Sequence, residues 1–256
     1  MAVLVTGGAG YIGSAFVEQL LAAGEEAVVL DDLSRGHRAA VHPRAAFYEG
    51  RTGDRDLVLR IAREHRLDAC VHFAAFAYVG ESVTEPARYF DNNFTQAQVL
   101  FESLVAAGVK RVVFSSTCAT YGVPTEVPIP ESHPQWPINP YGWSKLFVER
   151  LLESFDRAYG LRFVALRYFN VFGPRQDETS QYSAVIPKFI AAMLAGKQPT
   201  IYGDGEQSRD FTFVEDVVHG NLLAIKAPDV DGEMMNLATG GSVSLLELVD
   251  KINVVL

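Results

Sequence analysis

Tyr141 and Lys145 stand four residues apart in the run Tyr141-Gly142-Trp143-Ser144-Lys145. On a helix they share a face, one turn apart. A phenol ordinarily ionises near pH ~10, so using it as a base near neutrality needs a drop of roughly 3 units, about 4 kcal/mol. A neighbouring ammonium supplies part of such a drop. Pro140 suits the first turn of that helix, where its missing N–H would have no partner. Taken alone, the pair reads better as a solvated helix face than as a catalytic pair. Upstream, the apolar run Val112-Val113-Phe114 ends in three hydroxyls, Ser115, Ser116 and Thr117. A hydroxyl at a strand end can bind a substrate oxygen and relay its proton. At least one of the three is expected to satisfy the strand-to-loop turn instead.

A second arrangement supplies a place for a cofactor. The apolar run Val3-Leu4-Val5 leads into Gly7, Gly10 and Gly13, three apart, and an amphipathic stretch follows. That is a buried strand, a tight turn and a helix start, where backbone N–H groups can meet a pyrophosphate. The next apolar run, Ala27-Val28-Val29-Leu30, ends in Asp31, 18 residues past Gly13. An acid there accepts hydrogen bonds from adenosine ribose hydroxyls and repels a 2′-phosphate. Strand, glycines, helix and acid in register point to a dinucleotide site for NAD. The alternative, a glycine-rich surface turn, leaves Asp31 unexplained.

The elements that must position these residues alternate in type. Strands are expected at 2–6, 27–30, 46–49, 69–74, 111–115 and 162–167, with helices near 11–23, 54–65, 86–107 and 140–158. Such alternation predicts a doubly wound, Rossmann-type α/β fold: a parallel sheet with helices on both faces and the ligand site at the carboxyl edge. Past residue 168 the rhythm changes. A polar loop is expected at 173–183 and a helix at 184–195. Short strands near 199–202 and 211–214, helices at 215–226 and 244–254, and a strand at 234–238 complete the chain. This divides it into a dinucleotide-binding domain at 1–168 and a smaller C-terminal substrate-binding lobe at 169–256, some of whose segments return to the first domain.

Composition sets the outer bounds. The 256 residues are 48% hydrophobic and 21% charged, ordinary for a globular enzyme with a large core. Lys and Arg total 22 against 31 Asp and Glu, a formal net charge of −9. Such a surface repels nucleic acid and anionic lipid, but a few local cations can still hold an anionic small molecule. No apolar run approaches the ~18 residues of a membrane span, and the start shows no signal-peptide pattern. Cys70 and Cys118 read as reduced thiols, not as a disulfide, and a cytoplasmic address is expected. No metal site is read.

Taken in order, the glycine turn, the Ser-Ser-Thr strand end and Tyr-x-x-x-Lys resemble the extended short-chain dehydrogenase/reductase superfamily. His72-Phe73-Ala74-Ala75, Val79-Gly80-Glu81-Ser82, Asp91-Asn92-Asn93, the stretch from Phe114 to Gly122, and Arg167-Tyr168-Phe169-Asn170 are similar to the UDP-glucose 4-epimerase family within it. The resemblance implies an isomerase acting on a UDP-hexose. Tyr141, directly or through Thr117, would take the proton of the sugar 4-hydroxyl while C4 gives a hydride to NAD. The 4-keto sugar would turn over and take the hydride back on its other face. Lys145 would hold the nicotinamide ribose. Gly7, Gly10, Tyr11, Ile12, Gly13, Asp31 and Asp32 would hold the dinucleotide, with Phe73, Ala74, Ala75, Asn92, Ser115 and Tyr168 nearer the nicotinamide. Asn170 and Arg209 would grip the UDP pyrophosphate, and Tyr202 would line the uracil pocket. An ion pair with a neighbouring Asp is the alternative use of Arg209. A homodimer through helices near 86–107 and 140–158 is implied as well.

The chain also departs from that pattern. Gly50-Arg51-Thr52 stands where relatives often place an Asp for adenine, with Asp54 close by. Val171-Phe172-Gly173-Pro174-Arg175-Gln176 is more similar to epimerases acting on N-acetylated UDP-hexosamines. Family members continue past position 256, so the lobe reads as truncated. The alternatives are therefore a UDP-N-acetylglucosamine 4-epimerase, another NAD-dependent nucleotide-sugar enzyme, or a non-catalytic NAD-binding protein. The last of these typically loses the Tyr or the Lys, which this chain keeps.

Overall fold

The computed structural model describes residues 1–176 and 185–256. Six apolar runs form strands within two residues of the expected bounds: β1 (Ala2–Thr6), β2 (Glu26–Asp31), β3 (Ala46–Glu49), β4 (Ala69–His72), β5 (Arg111–Thr117) and β6 (Arg162–Tyr168). After β7 (Asn170–Phe172), β8 (Ser208–Arg209) and β9 (Phe211–Phe213) comes β10 (Glu233–Leu237), and β11 (Val243–Ser244) is the last. Seven strands make one sheet in the order β10-β6-β5-β4-β1-β2-β3. Every neighbouring pair in it is parallel.

The inner strands read as unbroken apolar runs because both faces are covered. Successive residues alternate between two cores. Leu4, Val28 and Leu30 pack with helices α2 (Arg55–His65), α5 (Gln96–Ala106) and α6 (Pro140–Tyr159) through Ile61, Leu100 and Leu152. Val3, Val5 and Val29 face α1 (Tyr11–Ala22) and α8 (Val214–Lys226) through Phe16, Val17 and Val217. The chain runs from β1 outward to β3, then returns past β1 to β4. The loops after β1 and β4 therefore part at the carboxyl edge, which is where doubly wound sheets bind ligands.

The helix expected over 86–107 is not continuous. After α3 (Val79–Thr84), α4 (Pro86–Phe90) passes through a π turn at Asp91–Thr95 into α5. The wide turn frees Asn93, whose side chain accepts from Phe76 N–H at 2.8 Å and donates to Phe76 O at 2.9 Å and Ser144 Oγ at 3.0 Å. Its neighbour Asn92 lines the cavity described below. Such π turns within helices are frequent at functional sites.

The last third of the chain is shared between two bodies. β10 extends the main sheet beside β6 and α8 packs against α1. The helix expected from 184 is described as α7 (Val185–Leu194), and with α9 (Leu245–Val255) it builds a separate small core of Phe189, Leu245, Leu248 and Ile252. The two-stranded pairs β7–β9 and β8–β11 join that core to the sheet edge. Most of the loop expected at 173–183 lies outside the described residues. The strand expected near 199–202 does not form. Gly203 and Gly205 take φ of +84° and +82°, turning the chain before any ladder is made.

Candidate active site

One cavity of about 700 Å³ opens along the carboxyl edge of the sheet. Its walls come from the loops after β1, β2, β3 and β4, the end of β5, the start of α6 and the small lobe.

The chemistry-bearing residues converge at its centre. Asn139 caps α6, its Oδ1 accepting from Gly142 N–H at 2.8 Å, and Pro140 occupies the first turn. This start places Tyr141 and Lys145 on the cavity wall beside Ser115 and Thr117 of β5. Lys145 is 3% exposed. Its Nζ donates to Ser115 O at 2.7 Å and lies 4.9 Å from the centre of the Phe114 ring. Burial drives this ammonium down to about 7, against the pull of the Glu149 carboxylate. The Tyr141 phenol moves the other way. Burial pushes it up to about 12, and the Thr117 hydroxyl, donating to the phenolate, pulls part of the way back. The lowering expected from Lys145 is thus not what the protein's own groups produce, because desolvation of the phenolate outweighs its polar contacts. Of the three strand-end hydroxyls, Thr117 is the one that satisfies the strand-to-loop turn, its Oγ1 accepting from Ala119 N–H at 3.1 Å, and Ser116 is structural as well. Ser116 donates to the buried Glu149 carboxylate and not to the cavity interior.

The glycine turn forms a cradle. A Cβ on Gly7, whose φ is +73°, would lie 2.6 Å from Ala74 N, and one on Gly13 would lie 2.2 Å from Gly7 O. Side chains at those positions would drive β1, α1 and the β4 loop apart. Gly10 precedes α1 without a side-chain cap, so the first-turn N–H groups of Tyr11, Ile12 and Gly13 have no partner within the helix. All of these residues line the cavity. The Tyr11 hydroxyl is buried with no hydrogen-bond partner among the described residues, and burial raises its pKa. Unpaired donors around a helix N-terminus fit a pyrophosphate.

At the end of β2 each oxygen of Asp31 already fixes a loop. Oδ2 accepts from Ala9 N–H at 3.0 Å and Oδ1 from Leu33 N–H at 2.9 Å. Each retains a lone pair for a ribose hydroxyl. Asp32 holds Ser34 N–H at 3.0 Å. Asp54 caps α2 by accepting from Leu57 N–H at 3.0 Å and does not line the cavity, whereas Arg51 does, held by Asp91 at 3.2 Å.

The opposite end of the cavity carries Asn170 on β7, Phe211 on β9, and Arg209 on β8. The ion pair with a neighbouring Asp does not form. Asp210 instead accepts from Thr239 Oγ1 at 2.8 Å and Gly240 N–H at 2.7 Å. Arg209 makes no ion pair among the described residues, and its guanidinium donates to Ser208 O at 2.7 Å at the cavity wall.

Comparison with known proteins decides the family. Residues 3–238 match the model of the NAD dependent epimerase/dehydratase family. The chain belongs to the NAD-dependent epimerase/dehydratase family. A UDP-glucose 4-epimerase from Lacticaseibacillus casei is 45% identical over 98% of this chain and 80% of its own length. A Thermotoga maritima UDP-glucose 4-epimerase solved with UDP-glucose superposes with a TM-score of 0.95 at 41% identity, covering 100% of this chain and 82% of that one. A UDP-N-acetylglucosamine 4-epimerase from Methanobrevibacter ruminantium, in complex with UDP-N-acetylmuramic acid, gives a TM-score of 0.92 at 42% identity, covering 97% and 80%.

Against the site expected for an epimerase/dehydratase, the cavity brings together all of the residues named from sequence save one. Gly7, Gly10, Tyr11, Ile12, Gly13, Asp31, Asp32, Phe73, Ala74, Ala75, Asn92, Ser115, Thr117, Tyr141, Lys145, Tyr168, Asn170 and Arg209 all line it. Tyr168 is anchored from behind, its hydroxyl donating to Asn221 at 2.9 Å. Tyr202 is the exception. It is 82% exposed and outside the lining, in a segment without strand structure just before the Gly203–Gly205 turn. Gln207 lines the cavity instead and donates to Tyr202 O at 2.7 Å. Sequence reasoning also missed Arg35, Phe76 and Tyr78 on the wall.

Beneath the site, His72 is 1% exposed, bonded to Thr6 Oγ1 at 2.7 Å and stacked on Phe114. Burial, helped by the nearby Lys145 charge, lowers its pKa to about 3. An unfolded His titrates near ~6.5, so between those values the unfolded chain binds more protons. His72 therefore contributes stability that is present above that range and is lost as pH falls through it. The expected slope is up to about 1.4 kcal/mol per pH unit. Urea unfolding from pH 4 to 7 measures it. A His72→Asn variant should show a shallower dependence, and an unchanged slope would remove His72 from the acid response.

Proposed function

We propose that this chain inverts C4 of a UDP-hexose, interconverting UDP-glucose and UDP-galactose with NAD as its resident cofactor. One observation carries the reading: Tyr141, Thr117 and Lys145 meet in a single cavity, between a glycine cradle suited to a dinucleotide and an Arg209 side chain suited to a second pyrophosphate. When bound, NAD supplies a hydride acceptor for C4 and, while oxidised, a positive ring that favours the Tyr141 phenolate.

The residues divide the remaining work. Tyr141 takes the 4-hydroxyl proton, directly or through Thr117, and returns it after the sugar has turned over. Lys145, fixed by Ser115 O, has donors left for the nicotinamide ribose. Phe73, Ala74, Ala75, Asn92, Ser115 and Tyr168 shape the nicotinamide end. Asp31 and Asp32 select the unphosphorylated ribose. Asn170 and Arg209 hold the UDP pyrophosphate. Residues 1–168 form the dinucleotide-binding part, and 169–256 mainly the sugar-nucleotide lobe, with β10 and α8 returning to the sheet.

The chain reads as a cytoplasmic homodimer. Its two cysteines are free, which suits a reducing compartment. Beside α4 and α6, Phe147 is 40% exposed and stacks on Phe90, while Trp136 and Ile138 stand out further. An apolar face of this kind supports a two-fold interface there.

A second reading has its own support. The run Gly173-Pro174-Arg175-Gln176 and the N-acetylglucosamine epimerase neighbour both favour an N-acetylated UDP-hexose. Purified protein incubated separately with UDP-galactose and UDP-N-acetylgalactosamine, without added cofactor, separates the two. Inversion of the first in preference to the second is the expected result. Preference for the second selects the hexosamine reading, and turnover of neither rejects both.

A further inference from the structure

Arg35 follows β2 and Glu81 sits on α3, after β4. In the sheet, β1 lies between those two strands. Any bond from Arg35 to Glu81 therefore crosses the mouth of the crevice above the end of β1, where the glycine cradle begins. That bond is made: Arg35 Nη2 donates to Glu81 Oε1 at 2.6 Å.

The contact is built up on both sides. The Glu81 side chain is only 12% exposed and accepts from two further groups, Arg88 Nη1 at 3.3 Å and the Tyr89 hydroxyl at 2.7 Å. Tyr89 is fully buried, and its oxygen also accepts from Tyr78 N–H at 3.1 Å. Burial alone would raise the Glu81 pKa, but hydrogen bonds from Tyr89 and Arg35 outweigh it and hold the carboxyl below its ordinary range. The Arg35 guanidinium also lies 4.9 Å from the centre of the Tyr78 ring and 5.5 Å from that of Phe76. Arg35, Phe76 and Tyr78 all line the cavity. A charged, stacked bridge therefore forms part of the wall of the cofactor cleft, anchored through Tyr89 to the protein behind it.

We infer that the Arg35–Glu81 bridge is a clasp that retains a bound dinucleotide by tying the loop after β2 to α3 across the cleft. The inference rests on the reading of NAD as resident cofactor. For the adenosine half to leave, the two loops must part. Parting them breaks an ion pair on a mostly buried carboxylate and lifts a guanidinium from two aromatic faces. An epimerisation without net redox gains from such a clasp, because the same cofactor serves successive turnovers and never needs to exchange.

The test reads cofactor release and not turnover. NAD content of the purified wild-type protein is measured first. Bound NAD is then exchanged for radiolabelled NAD, and its loss into excess unlabelled NAD is followed. Arg35→Gln is the main variant, since this side chain is 39% exposed and belongs to neither core. It should release NAD roughly tenfold faster. Arg35→Lys keeps the charge but loses the flat stack, and should fall between the two. The double variant Arg35→Gln/Glu81→Gln should release NAD well below the product of the two single effects, because both changes break one bridge. Release from Arg35→Gln at the wild-type rate, or effects of the two changes that simply multiply, would overturn the clasp. A wild-type protein that neither carries nor takes up NAD would overturn the cofactor reading and the clasp with it. A wild-type protein that holds NAD beside an indifferent Arg35→Gln would overturn the clasp alone.

Discussion

Tyr141→Phe is expected to lower kcat for C4 inversion by roughly 10²- to 10⁴-fold, the usual loss when a positioned proton donor and acceptor is removed. The phenyl ring fills the same space, so folding and NAD content should stay near wild type. The Tyr141 side chain lines the cavity beside Thr117 and is no part of the buried Arg167–Glu149 network, so removing its hydroxyl leaves that network intact. Thr117→Val separates the two routes: a smaller loss than that of Tyr141→Phe marks direct transfer to Tyr141, and an equal loss marks transfer through Thr117. Steady-state rates of the purified variants, with NAD content measured in parallel, give the comparison. A Tyr141→Phe enzyme within threefold of wild type would place the base elsewhere in the cavity.

The second large effect concerns stability. Arg167 and Glu149 form a buried two-pronged pair, with Nε to Oε1 at 3.0 Å and Nη2 to Oε2 at 2.9 Å, and side chains 3% and 0% exposed. The Arg167 guanidinium also donates to the Tyr121 hydroxyl at 2.8 Å, and Gln135 donates to Glu149 at 2.9 Å. Arg167→Met would leave the carboxylate buried with neutral donors only. The expected loss is about 3–5 kcal/mol by urea unfolding. Replacing both partners, as Arg167→Met/Glu149→Leu, should recover part of it, since no lone charge then remains inside. A single-variant loss below about 1 kcal/mol would show that the carboxylate finds water or a proton instead. The pair joins β6 to α6, and Ser116 ties it to β5. These are the elements that carry Thr117, Tyr141 and Lys145, so the destabilised variant should also lose activity.

Much of this was legible in the sequence for physical reasons. Parallel strands buried on both faces leave continuous apolar runs, so β1, β2, β5 and β6 were read nearly to the residue. Gly7 and Gly13 were legible because only a residue without a Cβ fits where β1, α1 and the β4 loop touch. What stayed hidden depends on long-range contact or on competition between terms. Arg35 and Glu81 are 46 residues apart, and no local pattern couples them. The π turn at Asp91–Thr95 sits within a stretch whose apolar spacing is helical throughout. The family resemblance assigns Tyr202 to the uracil pocket by position alone, and its exposure beside the Gly203–Gly205 turn is not a property that such a match carries. The Tyr141 phenol was expected to be lowered by its neighbouring ammonium. Burial instead dominates both groups, raising one and lowering the other, and burial is not a property of a four-residue spacing.

The reading of this cavity as a C4-inverting site is tested most directly by UDP-galactose carrying deuterium at C4, incubated with purified protein and no added cofactor. The UDP-glucose formed should keep the deuterium at C4, with none appearing in solvent. Deuterium lost to water, or no inversion at all, would contradict the account.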